Sequence, residues 1–213
     1  MLSYAPRPES RDRPVTRLHY LRSACCLVVA DVAGKSVPAA LLMATFQASL
    51  HTLARASMAL PDLVEALNGY ACAHSLGGLR FTTAFLADLE PAARALTYVS
   101  AGHNPPILRR ASGQIERLEA GGLPLGIAPS ARHDYGNIRL DSGDLLVIFT
   151  DGVVEAENAT GEEYGEPRLL QLLSSSPGGE ARDDLSRLMA SVDAFVGAAR
   201  QHDDITCLVL RCL

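Results

Sequence analysis

Three acidic positions stand at the ends of apolar runs, where a carboxylate can face a cation. Asp31 follows the run VVA, Asp151 follows LLVIFT, and Asp203, with Asp204 beside it, precedes ITCLVL. A carboxylate at the end of a buried strand must be hydrogen-bonded, paired or bound to a metal, because its desolvation is otherwise costly. Each acid alone would be explained as a turn or helix-cap residue. The same context occurs three times without a matching basic residue beside it, which favours a carboxylate site for Mg²⁺ or Mn²⁺.

The elements that must position these acids fall into helical blocks around a run of short strands. Helix-favouring composition and proline starts predict helices over residues 38–56, 61–74, 167–173 and 181–199. Period-two patterns separated by turn residues predict strands over 15–20, 24–30, 81–89, 94–100, 107–110, 114–118, 135–140, 145–150 and 205–213. The strands from 81 to 118 are expected to form an antiparallel meander, and those at 135–140 and 145–150 a hairpin. This grouping predicts an α+β fold without βαβ units.

Composition limits the kind of protein. The chain has 213 residues and a net charge of −5, which fits one domain with a sizeable core and argues against a nucleic-acid partner. We expect residues 1–14 to be a loose lead-in and 15–213 a single catalytic domain. Five scattered cysteines, the absence of a signal-peptide pattern and apolar runs well short of about 20 residues predict a cytoplasmic protein without a membrane anchor. Its oligomeric state is not predicted.

Five stretches occur together in the order and spacing of one family. They read DVAGKSVPAALLMA, LTYVSAGHNPPILR, GLPLGI, GDLLVIFTDGVVEAENATGEEYG and DDITCLVLR. From residue 27 to the C-terminus the chain resembles the bacterial sporulation- and stress-type (SpoIIE-like) branch of the metal-dependent type 2C protein serine/threonine phosphatases. The resemblance implies a four-layer α-β-β-α sandwich of two antiparallel sheets flanked by helices.

The resemblance also implies a metal centre and a substrate class. Asp31 would bridge two Mn²⁺ or Mg²⁺ ions, and the backbone carbonyl of Val32 would face the second ion. Asp151 and Asp203 match the remaining ligands of the first ion, with Asp204 ranked behind Asp203. A metal-bound water would then attack phosphoserine or phosphothreonine. The expected protein substrate is a phosphorylated anti-anti-sigma regulator of the STAS type.

One family motif is missing from this sequence. Relatives carry Gly-Gly-Asp-x-Tyr-Asp one strand before the Asp31 turn, whereas this chain reads SRDRPVTRLHYLRS, in which Asp12 is the only acid near the right distance. A truncated or misassigned start, substitution by Asp12 and a weakened second metal site all remain open. Two functions follow from these options. The chain is an active phosphatase, or it is a catalytically weak pseudophosphatase that binds a signalling partner.

Four further features have simpler expected roles. His103, in a turn before two prolines, is predicted to be a hydrogen-bonded loop anchor. His202, next to Asp203, could support that proposed metal ligand or act as a partner of the leaving group. Gly152 is expected to permit a tight turn. The acidic stretch 155–166 is predicted to be a solvated flap, and the cysteines are predicted to be buried as small apolar residues.

Overall fold

The computed structural model describes residues 2–7, 16–21, 24–34, 37–56, 58–74, 80–176, 178–201 and 203–213, with side chains from residue 26 onward. The chain divides into two compact units. The first unit comprises Met1–Arg13, Pro106–Arg117 and Asp141–Leu213, and the second comprises Pro14–Pro105 and Leu118–Leu140. Each unit is built on its own β-sheet.

The elements follow in chain order. The strands are β1 (Leu2–Arg7), β2 (Thr16–Leu21), β3 (Ala24–Val32), β4 (Thr82–Glu90), β5 (Ala95–Ala101), β6 (Ile107–Arg109), β7 (Ile115–Arg117), β8 (Gly121–Gly122), β9 (Gly136–Arg139), β10 (Leu145–Phe149) and β11 (Ile205–Arg211). The helices are α1 (Val37–Ala54), α2 (Leu60–His74), α3 (Asp151–Val154), α4 (Gly165–Ser174) and α5 (Ala181–Val196).

The first unit holds an antiparallel sheet in the order β1-β11-β10-β6-β7. Every residue of β10 and β11 is buried, as expected for their continuous apolar runs. Alternate residues of these strands form one core with the apolar faces of α4 and α5, including Val147, Val209, Leu169, Leu188 and Val192. Part of the expected lead-in, Leu2–Arg7, lies beside β11 as β1.

The second unit holds a sheet in the order β2-β3-β4-β5-β8, with β9 also paired to β5. Val28 and Leu86 on one face of the sheet share a core with Phe46 of α1 and Leu67 of α2. On the other face of the sheet, Leu27 and Val29 of β3 and Phe85 and Ala87 of β4 are buried as well. Two mainly antiparallel sheets with helices therefore confirm the predicted α+β fold class.

Two predicted strand pairings are wrong. The strand at 135–140 does not form a hairpin with the next strand, because β9 pairs with β5 whereas β10 pairs with β6 and β11. The meander also ends after β5, since β6 joins the sheet of the first unit. Pro105 and Pro106 stand between β5 and β6. Because proline has no N–H to donate to a strand ladder, pairing cannot continue through this segment.

Two of the family-like stretches meet in the second unit through backbone contact. The Ser100 N–H donates to the Ala120 carbonyl at 2.8 Å, and the Gly102 N–H donates to the Gly122 carbonyl at 2.9 Å. A side chain on Gly121 would collide with the carbonyl of Ser100. The glycines of AGHNPP and GGLPLG therefore serve this close approach of two backbones.

Among the described helices, α1 alone has the length and apolar composition of a membrane-crossing helix. A core helix of a soluble protein meets the same test. Ala39, Met43, Phe46 and Leu50 of α1 are buried in the core of the second unit. One face of α1 therefore packs in this core, while Val37 and Leu41 on the rest of the helix are exposed.

Asp88 is a half-buried carboxyl on β4, directly opposite Cys26 of β3. Burial raises the pKa of Asp88 above its usual 3.8, and a hydrogen bond with the Cys26 thiol partly opposes this shift. A carboxyl whose pKa is raised by folding costs stability at pH values above its folded pKa, and the cost vanishes below the unfolded value. We therefore expect Asp88→Asn to raise the melting temperature near pH 7, with the gain shrinking as the pH falls toward 4.

Thermal denaturation of wild type and Asp88→Asn across this pH range measures the effect. The exposed acid Asp134 provides the control, since Asp134→Asn removes the same charge without removing a buried carboxyl. A gain for Asp88→Asn that does not depend on pH would contradict the role of burial.

Candidate functional site

Asp31 stands at the end of β3 in the second unit, half-buried, with its backbone held by β4. Asp31 lies opposite Thr83, and Val32 opposite Thr82. The Thr83 hydroxyl donates to the Asp31 carbonyl oxygen at 3.5 Å. One residue later the Ala33 N–H donates to a carbonyl of the segment before β4 at 2.9 Å. The strand register thus fixes the turn that carries Asp31.

Asp151 and Asp203 lie together in the first unit, where β10 passes into α3 and the chain enters β11. The Asp151 carboxylate accepts the N–H of Gly152 at 2.9 Å. The Asp203 carboxylate accepts the N–H of Asp204 at 2.8 Å. The side chain of Gln201 donates to the Asp203 carbonyl at 2.7 Å. Both predicted ligands of the first ion therefore have local backbone partners that orient them.

Thr150 joins these two segments, and the sequence analysis missed it. Its hydroxyl donates to the Asp204 carbonyl at 3.1 Å and accepts the Thr206 N–H at 2.9 Å. Its own N–H donates to the Thr206 carbonyl at 3.0 Å. Thr150 is 5% exposed and is the N-cap of α3, but its hydroxyl makes no cap hydrogen bond. The sequence did contain a signal, namely a threonine between the apolar run LLVIF and Asp151. A hydroxyl at the end of a buried strand must find hydrogen-bond partners.

Gly152 is required for space and not for a turn. Its φ is not positive, and a Cβ at this position would collide with the Asp204 carbonyl oxygen. We expect Gly152→Ala to push α3 away from the start of β11, to cost about 1–3 kcal/mol of stability and to weaken Mn²⁺ binding. Thermal denaturation and calorimetric Mn²⁺ titration measure the two effects.

Gly69→Ala is the matched control for this prediction. Gly69 lies inside α2 with nothing within 4 Å of a Cβ. Alanine there should raise stability by about 0.5–1 kcal/mol, because it restricts the unfolded chain and favours helix. Unchanged stability and unchanged Mn²⁺ affinity in Gly152→Ala would show that α3 shifts without cost.

Negative charge is concentrated around α3. The pKa of Glu155 is raised by burial and then by the charges of Asp151, Glu163 and Asp203. These carboxylates offer only oxygen donors, which fit Mg²⁺ or Mn²⁺ and do not fit a soft metal. Within the described residues, no three His, Cys, Asp or Glu side chains form a group that could hold a metal ion. The carboxylates thus fit the predicted ions by donor type, but the described residues do not gather them into a metal-binding group.

The remaining predicted residues have different outcomes. Asp12 and His202 lie outside the described residues. His103 is 7% exposed, and its backbone carbonyl accepts the Ser100 hydroxyl at 3.0 Å, so the turn is tied to β5, while an anchoring role of the imidazole itself stays a prediction. Cys26 and Cys207 are buried as predicted, whereas Cys72 and Cys212 are only half-buried. Burial raises the pKa of the Cys207 thiol to about 12.

The predicted solvated flap, residues 155–166, is exposed only in part: Glu155 and residues 159–163 are exposed, whereas Tyr164 is 1% exposed and packs in the core of the first unit. The segment is also held by specific contacts. The Asn158 side chain accepts the N–H groups of Thr160 and Glu162, each at 3.0 Å. Arg168 of α4 pairs with Glu162 at 2.5 Å and lies 4.6 Å from the ring centre of Phe195 of α5. These contacts hold the loop against α4 and α5.

Comparisons with known proteins agree with this fold. The family model described as Stage II sporulation protein E (SpoIIE) matches residues 22–213. Phosphoserine phosphatase RsbU of Bacillus subtilis is 29% identical over 186 residues, which cover 87% of this chain and 55% of RsbU. Protein IcfG of Synechocystis is 24% identical and aligns over 86% of this chain and 33% of its own length. The chain thus spans between a third and about half of these two relatives.

Solved structures show the same architecture. The SiaA PP2C domain of Pseudomonas aeruginosa superposes with a TM-score of 0.84 at 18% identity, covering 99% of this chain and 85% of that domain. Since the family model covers nearly the whole sequence, the chain belongs to the SpoIIE family, the branch of type 2C phosphatases that its five motifs predicted.

Proposed function

We propose that this protein is a metal-dependent phosphatase that hydrolyses phosphoserine or phosphothreonine in a protein. One observation carries the proposal: the Thr150 hydrogen bonds hold the segments of Asp151 and Asp203 side by side. Buried hydrogen-bonded polar groups of this kind fix local geometry, which is what a catalytic centre requires. The chain's relative RsbU is named a phosphoserine phosphatase, which supports the reaction class.

The residues proposed to hold the ions are those that the sequence indicated. Asp31, Asp151 and Asp203 would be the ligands, with Asp204 and the carbonyl of Val32 as further candidates. Divalent cations bound there would lower the pKa of water toward neutrality and offset the negative charge of the phosphoryl group. Asp12 remains a proposed substitute for the missing upstream ligand.

The chain's own part in the reaction is to position these groups. Thr150 sets the distance between the α3 start and the β11 start, and Gly152 allows them to approach. The Gly152 N–H orients the Asp151 carboxylate. Hydrolysis adds water to phosphorus, breaks the bond from phosphorus to the serine or threonine oxygen, and returns a proton to that oxygen, so no covalent protein intermediate is needed.

The finer substrate assignment is also part of the proposal. We propose a phosphorylated STAS-type anti-anti-sigma regulator as the substrate protein and the cytoplasm as the location. The substrate protein follows from the family resemblance and the location from the cysteine content, whereas the name of RsbU, a phosphoserine phosphatase, supports only the phosphoserine part of the proposal.

A binding-only pseudophosphatase is the second candidate, favoured by the missing Gly-Gly-Asp-x-Tyr-Asp motif. Release of phosphate from a phosphoserine peptide, measured across a Mn²⁺ titration, separates the two functions. Mn²⁺-dependent turnover supports the enzyme, and its absence at every Mn²⁺ concentration supports the binding module. Asp12→Ala in the same assay tests whether Asp12 replaces the missing ligand, since loss of activity would support that role.

A further inference from the structure

Arg80 lies against the turn that carries Asp31, although 49 positions separate the two residues in sequence. Its guanidinium Nη1 is 3.8 Å from the position that a Cβ on Gly34 would occupy. Gly34 has a φ of +108°, so this position favours glycine and the guanidinium lies beside bare backbone. A cationic side chain therefore faces the end of the Asp31 turn.

The backbone that follows Arg80 is fixed by contacts with the Asp31 turn and with Leu125. Directly after it, Phe81 accepts the Ala33 N–H at 2.9 Å, which ties the segment to the Asp31 turn. The next residue, Thr82, exchanges two hydrogen bonds with Leu125, at 2.9 and 2.8 Å. Strand pairing within the second unit thus places the Arg80 side chain beside the turn.

The charge of Arg80 is not used by an acid in the described part of the chain. No carboxylate among the described residues forms a salt bridge with it, and the first turn of α1 contains no acidic residue. Arg80 is half-buried. A planar guanidinium in this setting is suited to bidentate recognition of phosphate oxygens.

A guanidinium beside the Asp31 turn would serve the proposed reaction. A phosphomonoester is negatively charged, and the guanidinium adds positive charge and directed hydrogen bonds to what the proposed divalent cations would supply. In phosphoryl transfer, a guanidinium that holds the equatorial oxygens orients the phosphorus for in-line attack. We propose that Arg80 is the residue that binds the substrate phosphoryl group, an inference that rests on the proposed phosphatase function.

The test compares Arg80→Gln, Arg80→Lys and a matched control. The control is Arg55, which is exposed and follows the C-terminal end of α1, whereas Arg80 lies near the N-terminal end of that helix. Arg55→Gln therefore removes one positive charge from the same unit far from the proposed phosphate site. The probes are inorganic phosphate as a competitive inhibitor, p-nitrophenyl phosphate as substrate, and calorimetric titration of phosphate in the presence of Mn²⁺.

Arg80→Gln should weaken phosphate binding about 10- to 100-fold, as expected for loss of charge-assisted hydrogen bonds, and should raise KM. Its Mn²⁺ affinity should stay within about twofold of wild type, because Arg80 is not a metal ligand. The phosphate affinity of Arg80→Lys should lie between those of wild type and Arg80→Gln, since an ammonium group supplies charge without the bidentate geometry of a guanidinium. Arg55→Gln should match wild type.

Phosphate binding by Arg80→Gln within about twofold of wild type, or an equal loss in Arg55→Gln, would overturn the proposal. If Arg80→Gln fails to fold, Arg80→Lys carries the test, and unchanged phosphate binding in that variant overturns the proposal. If the wild-type protein shows no Mn²⁺-dependent turnover, the proposed function fails. Calorimetric titration of phosphate into wild type and Arg80→Gln then still tests whether Arg80 binds phosphate. Weaker binding in the variant would then support a phosphate site, and equal binding would refute it.

Discussion

Asp151→Asn is expected to reduce Mn²⁺-dependent hydrolysis of p-nitrophenyl phosphate by at least about 100-fold, the scale of losing one group that stabilises charge at a reaction centre. The substitution keeps the shape of the side chain, and the amide oxygen can still accept the Gly152 N–H that the carboxylate accepts at 2.9 Å. What is lost is negative charge, which the proposed first ion needs from its ligand. The fold should therefore persist while Mn²⁺ binding and turnover fall.

Calorimetric Mn²⁺ titration and initial rates measure these two quantities on the same preparation. Asp134→Asn is the control, because Asp134 is an exposed acid that is no proposed ligand. A melting temperature close to that of wild type shows that the variant is folded. Retention of more than half of the wild-type rate in Asp151→Asn would mean that Asp151 does not serve as a ligand.

Asp184→Ala is expected to have the largest effect on stability, because it removes one half of a buried ion pair. Asp184 of α5 and Arg211 of β11 are 6% and 5% exposed, respectively. The Arg211 guanidinium donates to the Asp184 carboxylate at 2.6 and 3.0 Å. The Ser176 hydroxyl donates to the second carboxylate oxygen at 2.6 Å. Removing the acid leaves a buried guanidinium without its counter-charge, which costs about 3–5 kcal/mol.

Urea unfolding of wild type and Asp184→Ala measures this loss. Arg182→Ala, on the exposed side of the same helix, controls for helix propensity and should change the free energy of unfolding by less than about 0.5 kcal/mol. The double variant Asp184→Leu with Arg211→Met should recover much of the loss, because apolar residues can replace a buried pair. A cost below about 1 kcal/mol for Asp184→Ala would show that water reaches Arg211.

The individual strands and helices could be predicted from the sequence, because their signals lie in adjacent residues. The runs LLVIF and ITCLVLR predict fully buried strands, and β10 and β11 are buried along their whole length. The predicted helix at 181–199 appears as α5. In contrast, the pairing of β9 with β5 was not predictable, because alternation shows which face of a strand is buried but not which strand covers its edge.

In the candidate site, too, some features could be predicted from the sequence and others only from the tertiary structure. Sequence alone identified Asp31, Asp151 and Asp203 as acids at strand ends, together with the five family stretches, because residue type and spacing are local properties. Only the tertiary structure revealed the Thr150 hydrogen bonds to the start of β11 and the guanidinium of Arg80 beside Gly34. These contacts join residues about 50 positions apart, and chain folding determines which of many polar side chains meet. The sequence by itself thus determined the family and the chemistry of the candidate ligands. Tertiary packing decided which groups hold the segments of those ligands and which cation lies beside Gly34 in the Asp31 turn, because hydrogen bonds and charge pairs depend on distances that no local pattern records.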